Sequence, residues 1–156
     1  MHADQIRELY EYHFSTNRRL WDTSVMTLTD EQFSEDLAYS LGSIHNQCVH
    51  LMSIDERWFS GLRGEDLPDF LKPADFPTRE TVRLYWDSVE AKMRGYLDAL
   101  TDEAVAGMLD DIPVWVVLQH VLLHGMDHRA QMLAMLHRLG APTFAQDLIY
   151  RYFKPR

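Results

Sequence analysis

Histidines are frequent in this chain, and most of them lie in two segments. Eight occur in 156 residues, and the segment LQHVLLHGMDHRAQM carries His120, His124 and His128 at intervals of four. Residues four apart on an α-helix lie about 40° apart around its axis, so two neighbouring histidines can bind one metal ion through their ring nitrogens. His120 and His128 are two turns apart, and a straight helix does not readily aim both at one ion. The spacing therefore predicts a metal site that uses one neighbouring pair.

The apolar residues of the same segment indicate which pair faces inward. They define one face of the helix: Val114, Val117, Leu118, Val121, Leu122, Met132, Leu136 and Leu139. His128 points further toward this face than His120 does, and His124 lies at its rim. His120 shares the solvent side of the helix with Asp127. We therefore predict that His124 and His128 bind the ion.

A third ligand must come from another part of the chain, because zinc, nickel and iron sites need at least three protein donors to hold the ion firmly. The candidates are His45 and His50, in a second helical segment. They are five residues apart and therefore about 140° apart on a helix, so only one of them can face the ion. The apolar residues of that segment favour His45.

A weak internal repeat favours His50 instead. The hexapeptides LTDEQF and LTDEAV each follow a long helical segment, and each has a threonine placed to cap a short helical turn. His50 lies 21 residues after Thr29, and His124 lies 23 residues after Thr101. A pseudo-twofold arrangement could therefore bring these two histidines together. Spacing alone leaves the choice between His45 and His50 open.

Four long segments with helical periodicity must position these histidines. We predict helices near residues 3–26, 40–62, 78–100 and 112–139. Their ends carry the expected residues, with Pro77-Thr78 before the third helix, Asp111 and Pro113 at the start of the fourth, and Gly140 after its end.

The segment RGEDLPDFLKPADFP, residues 63–77, joins the second and third helices. It contains three prolines and little periodicity, and it is too long for a tight turn. The predicted fold class is therefore all-α, a four-helix bundle with one long crossover between helices 2 and 3. The length is that of one domain, which we expect to span residues 1–156.

Composition excludes several classes of function. The 24 acidic residues outnumber the 15 basic residues, for a formal net charge of -9, so binding to nucleic acid is disfavoured. No apolar run approaches the roughly 18 residues that a membrane-spanning helix needs. The only cysteine, Cys48, cannot form an internal disulfide, and the first residues lack the features of a secretory signal. We expect a cytoplasmic protein that binds neither nucleic acid nor membranes.

Two stretches resemble the DinB-like metal-binding proteins. GSIHNQCVHLMSIDERWFSGLRGE is similar to the second helix of that family, with Ser43-Ile44, His50, Glu56 and Trp58 at the matching positions. HGMDHRAQM resembles the family's paired-histidine motif, and GAPTFAQDL resembles the loop that follows it. The matches occur in the family's order and extend over nearly the whole chain.

The resemblance implies His50 rather than His45 as the third ligand, and hence a site of His50, His124 and His128. It also implies a four-helix bundle, often a homodimer, that binds one divalent ion, nickel or zinc. The wider superfamily is similar to thiol-dependent S-transferases, which suggests a metal-dependent transferase or hydrolase acting on a small molecule. The alternative is a non-catalytic metal-binding or stress-related bundle.

Several residues near these histidines could support the site. Asp55, Glu56, Asp127 and Gln131 could hold the histidine rings in place, although each is more simply a residue of the helix surface. Arg129 could steer an anionic substrate or pair with an acid across an interface. Cys48 lies about 200° around the helix from His50, so we reject it as a ligand.

The remaining apolar features point to packing rather than chemistry. The four tryptophans are most simply residues of the core or of a dimer interface. The tail LIYRYF, residues 148–153, could pack on a partner subunit.

Overall fold

A computed structural model describes residues 1–153 of the chain. In chain order the helices are α1 (Ala3–Thr23), α2 (Asp30–Ser34), α3 (Ile44–Leu62), α4 (Arg79–Asp98), α5 (Asp102–Val105) and α6 (Val114–Arg138). Between α5 and α6, β1 (Met108–Leu109) pairs antiparallel with β2 (Ile112–Pro113). Short 3-10 helices span Val25–Thr27, Pro73–Asp75 and Leu148–Tyr152.

Threonine and serine side chains begin four of the helices. Thr29 and Thr101 cap the short helices α2 and α5, by accepting hydrogen bonds from the backbone N–H groups three residues later. Ser43 and Thr78 begin α3 and α4 in the same way. The expected caps of the two short turns are therefore confirmed.

The four long helices form a bundle in which each packs against two others. The helices α3 and α1 both contact α4 and α6. Their apolar faces form two core clusters, one around Trp21 and Leu136 and the other around Tyr10 and Phe59. Full burial of a side chain such as Phe59 contributes about 1.5–3 kcal/mol. The predicted all-α bundle is confirmed, and none of the helices in residues 1–153 is both long and apolar enough to cross a membrane.

The long connection between α3 and α4 packs along α3. The backbone N–H of Leu71 donates to Ser53 Oγ at 3.0 Å, and Phe76 is buried in the core. His45 Nε2 lies 2.8 Å from the carbonyl oxygen of Phe76. These contacts hold the connection as one wall beside the outer face of α3.

Two helix starts differ from the sequence prediction. The second long helix begins at Ile44 rather than near residue 40, because the chain turns at Gly42, where φ is +90°. The fourth begins at Val114, with Pro113 as the residue before its first turn. Asp111 does not cap it, because residues 108–113 form the small hairpin, which turns at Asp110 with φ +50°. Helical periodicity could not reveal so short a hairpin.

Candidate metal centre

Three histidines from two helices meet at one point of the bundle. His50 comes from α3, and His124 and His128 come from successive turns of α6; one ring nitrogen from each lies within 4.8 Å of those of the other two. The ring centroid of His128 is 4.6 Å from that of His50 and 4.3 Å from that of His124. All three side chains are half-buried. We call this group the three-histidine centre.

The spacing of the ring nitrogens fits a shared metal ion. His50 Nε2 and His124 Nε2 are 3.1 Å apart. Two imidazole nitrogens bound at roughly 2.0–2.1 Å to one ion, with an angle between tetrahedral and octahedral, are roughly 2.8–3.4 Å apart. The donor set therefore suits a zinc- or nickel-type ion, both in ligand chemistry and in spacing.

Gln47 fixes the orientation of one of these rings. Its side-chain nitrogen donates to Ser40 Oγ at 2.9 Å and to Gln131 Oε1 at 3.3 Å, so its oxygen is left to accept. That oxygen, Oε1, lies 2.7 Å from His128 Nδ1. The proton of His128 therefore sits on Nδ1, and Nε2 has a free lone pair for a metal ion.

Sequence reasoning missed Gln47 as a residue of the site. The available signal was its position three residues before His50, which places both side chains on one face of α3. Asp127 is exposed, as its interpretation as a surface residue predicted, and it and Gln131 contact this amide network rather than the histidine rings. The side-chain nitrogen of Gln131 donates to Asp127 Oδ2 at 2.9 Å, and Ser40 Oγ donates to Gln131 Oε1.

The histidines of the centre are neutral at physiological pH. Burial is the largest cause that lowers the pKa of all three rings. For His124 the neighbouring His128, His50 and His120 lower the pKa further, to about 4. A metal ion binds the neutral imidazole, so protons compete little with it near pH 7.

The two other histidines of these helices lie outside the centre. His45 packs on the ring of Phe33, with 5.1 Å between centroids, and faces the connection between α3 and α4. The apolar neighbours of His45 on α3, Ile44, Cys48 and Leu51, belong to the core, so the face that they define does not mark the metal centre. His120 is exposed, as the sequence predicted, and its ring packs edge-on against Trp58 at 5.3 Å.

Two carboxylates interpreted as surface residues are buried. Asp55 is 1% exposed and Glu56 is 6% exposed, so that interpretation was wrong. Glu56 accepts hydrogen bonds from Tyr85 at 2.5 Å and Lys92 at 2.9 Å, which joins α3 to α4. Neither carboxylate bonds to a histidine of the centre.

The expectation for Arg129 was also wrong, because this side chain is only 1% exposed and cannot reach a substrate in solvent. It donates to Asn17 Oδ1 at 2.9 Å and to Gln146 Oε1 at 3.1 Å, and it lies 3.1 Å from His13 Nδ1. On the other side of His13, Asp55 Oδ2 lies 3.8 Å from its Nε2. We call these five residues the Arg129 cluster. It joins α1, α3 and α6 to the segment after α6.

Cys48 is buried away from the histidines, and burial raises the pKa of its thiol to about 12. Its rejection as a ligand agrees with this position.

Of the tryptophans, Trp21 and Trp86 belong to the core, whereas Trp115 is 42% exposed.

The sequence profile of the DinB family matches residues 1–154, which is nearly the whole chain. The chain therefore belongs to the DinB family, and the resemblance seen in its two histidine-containing stretches is confirmed. A search among curated proteins found no match. The reaction therefore has to be inferred from the chemistry of the centre.

Proposed function

We propose that this protein binds one divalent metal ion, nickel or zinc, through His50, His124 and His128. The observation that carries the proposal is the convergence of three neutral imidazoles, with nitrogens of His50 and His124 3.1 Å apart. The hydrogen bond from His128 Nδ1 to Gln47 supports it further, because it leaves Nε2 free to bind.

We further propose that the centre is catalytic and acts on a small molecule, as a transferase that uses a thiol or as a hydrolase. Three protein ligands leave coordination positions open, as in catalytic rather than structural zinc sites. A divalent ion in such a site polarises a carbonyl group or lowers the pKa of a bound water or thiol.

The surroundings of the histidines suit a reacting small molecule. A pocket of about 260 Å³ opens beside His50, and its other walls include Val49, Ser53 and Phe70. Most of the side chains that line this pocket are apolar, which suits contact with the body of an organic molecule. Gln47 keeps His128 in its tautomer and orientation while a ligand enters.

Metal analysis of protein purified without chelators tests the metal site. The wild type should carry one ion per chain, and added nickel or zinc should raise its Tm, because a ligand of the folded state stabilises it. His124→Ala should lose both properties. His137→Ala, an exposed histidine in the last turn of α6, is the matched control and should retain them. A wild type without stoichiometric metal and without a metal-dependent Tm would contradict the proposal.

A screen of thiols with electrophilic acceptors, and of hydrolysable substrates, tests the catalytic part. Turnover by the metal-loaded wild type that disappears in His124→Ala would support it. One bound ion per chain with no turnover would instead favour a non-catalytic metal-binding role.

We also propose that the chain is a single domain of residues 1–156 that works in the cytoplasm as a homodimer. The last three residues of that domain lie outside the described part of the chain. The exposed apolar side chains of Ile149, Tyr150 and Phe153, in the tail already considered for a partner contact, support a dimer. Light scattering of the wild type and of Phe153→Ser tests it.

A further inference from the structure

A second cavity lies next to the three-histidine centre. It has a volume of about 580 Å³, within the range of roughly 300–1,000 Å³ that is typical of small-molecule sites. It opens between α3, the connection that follows α3, and the β1–β2 hairpin. Its apolar walls are formed by Ile54, Trp58, Leu67, Phe70, Leu109 and Ile112. We call it the α3 cleft.

Two aromatic side chains connect the α3 cleft to the centre. Phe70 lines both this cleft and the pocket beside His50. Trp58 also lines the cleft, and its ring centroid is 5.3 Å from that of His120, which is in turn 5.9 Å from that of His124. The cleft therefore shares a wall residue with the pocket beside His50, and the ring of His120 lies between its Trp58 wall and His124.

The α3 cleft contains one basic side chain, Arg57. Its guanidinium lies 4.0 Å above the ring of Phe70 and donates to the carbonyl oxygen of Pro68. Within residues 1–153 no carboxylate pairs with Arg57, although acidic residues outnumber basic ones by 24 to 15 in this chain. A guanidinium fixed by stacking retains further donors that suit a planar or tetrahedral anion.

Two acidic residues also line the α3 cleft, and both are exposed. The carboxylate of Glu65 is paired with Arg63, with N···O distances of 2.7 and 2.8 Å. Asp110 lies at the turn of the hairpin. Neither forms an ion pair with Arg57, whose positive charge thus remains available to a ligand.

We propose that the α3 cleft binds an organic substrate with an aromatic or aliphatic body and one anionic group. Trp58 and the apolar walls hold the body, and Arg57 binds the anionic group. This inference rests on the proposed function, because it places the reacting end of the substrate beside the ion held by the three histidines. Arg57 thus contributes to substrate specificity, because it binds the anionic group of the substrate and takes no part in the reaction itself.

A pair of fluorescent probes that differ in charge tests the role of Arg57. Anilinonaphthalene sulfonate carries an aromatic body and an anionic group, and N-phenyl-1-naphthylamine is its neutral counterpart. Arg57→Gln should weaken binding of the sulfonate about tenfold, since a hydrogen bond to a charged group contributes about that much. It should change the affinity of the neutral probe by less than about threefold. Equal affinities of the wild type and Arg57→Gln for the sulfonate would overturn the proposal.

A cleft-filling variant tests the location. A Cβ atom built at Gly61 would lie 3.5 Å from a methyl of Leu67 and 3.7 Å from a methyl of Leu109, both in ordinary contact. Gly61→Leu should therefore fill the cleft without moving the backbone and abolish binding of both probes. Gly95→Leu on α4 is the matched control, because a Cβ there meets nothing within 4 Å, and it should leave binding unchanged.

The same titrations separate the cleft from the metal. Each is repeated on metal-free protein and on His124→Ala, with the metal content measured in every sample. Sulfonate binding that persists without metal and is lost in Gly61→Leu supports the cleft even if the metal proposal fails. One ion per chain with unchanged sulfonate binding in Gly61→Leu, whose Tm shows that it is folded, overturns the cleft and leaves the metal proposal intact.

Discussion

The three-histidine centre and the Arg129 cluster both include residues of α6, on different faces of that helix. The histidines of the two groups differ in burial and in the partners of their ring nitrogens. His124 and His128 point from α6 toward α3, whereas Gly125 and Arg129, the residues immediately after them, face α1. His13 is fully buried between a guanidinium and a carboxylate, with polar contacts at both ring nitrogens. In the centre the three rings are half-buried, and one nitrogen of each ring lies within 4.8 Å of those of the other two.

This contrast indicates which histidines are available to bind an ion. A ring whose nitrogens are both engaged by side chains of the protein has no lone pair left for an ion, whatever its burial. In the centre, by contrast, the Nε2 atoms of His50 and His124 face each other at 3.1 Å, which is the spacing of two nitrogens bound to one ion. No pattern in the sequence singled out His13, and the structure makes it part of the connection between α1 and α6.

Loss of the buried charge should have the largest effect. Arg129→Met should lower the free energy of unfolding by about 3–5 kcal/mol, because it leaves Asn17 Oδ1 and His13 Nδ1 buried without a donor and removes the positive charge that interacts with the buried Asp55 carboxylate. Urea unfolding of the metal-free protein measures this effect. Arg138→Met, at the exposed end of α6, is the control and should change stability by less than about 0.5 kcal/mol.

The double variant Arg129→Met with Asp55→Asn sharpens this prediction. It should be more stable than the sum of the two single losses predicts, since removal of both charges removes the unpaired carboxylate. Strict additivity would contradict a coupling between the two buried charges.

Gln47→Ala should have the next largest effect, on the centre. Metal affinity should fall about 10–100-fold, because His128 loses the acceptor that fixes its tautomer. Calorimetric titration with zinc measures the affinity, and Gln5→Ala, at an exposed glutamine in the first turn of α1, is the control. An unchanged affinity would mean that the hydrogen bond to Gln47 does not orient the ligand.

The close approach of α1 and α6 should be sensitive to one methyl group. A Cβ at Gly125 would lie 2.4 Å from His13 Cε1, which is shorter than any real contact. Gly125→Ala should therefore destabilise the protein by about 1–2 kcal/mol, as overpacking exceeds the gain in helix propensity. Gly95→Ala, on the open face of α4, should stabilise it by about 0.5–1 kcal/mol. The same sign for both variants would refute the close packing of His13.

The smallest predicted effect is a loss of stability in acid that arises from His124. The pKa of His124 is lowered in the folded state to about 4, so the unfolded chain takes up this proton first. The resulting stability is fully present above the ordinary histidine pKa and is lost as pH falls toward 4. From about pH 7 to 6 His124 should account for at most about 0.7 kcal/mol, and less after solvent screening.

Thermal unfolding of the metal-free wild type and of His124→Ala at several pH values measures this contribution. The variant should show a shallower loss of stability below pH 6.5. Equal slopes would indicate that His124 titrates normally in the folded protein.

Local patterns predicted the parts of the fold and of the centre that depend on near neighbours in the chain. The long helices, the caps at Thr29 and Thr101, and the inward pair on α6 follow from periodicity and hydrogen bonds within a few residues. The helical wheel favoured His45 because His45 lies near the core-facing side of α3, but the ring of His45 contacts Phe33 and the connection after α3 rather than the other histidines. It likewise treated Asp55 as a surface residue, since no local pattern reveals a buried partner such as His13.

Residue types and their spacing predict an all-α bundle, the membership of the DinB family and a pair of histidines one turn apart on the last long helix. Each of these features depends on contacts or patterns within one segment of the chain. Three other features follow from packing between helices: His50 joins that pair, Gln47 holds His128 from 81 residues away, and Arg129 is buried. They could not be read along the chain, because each depends on which helix faces align when α1, α3 and α6 pack together.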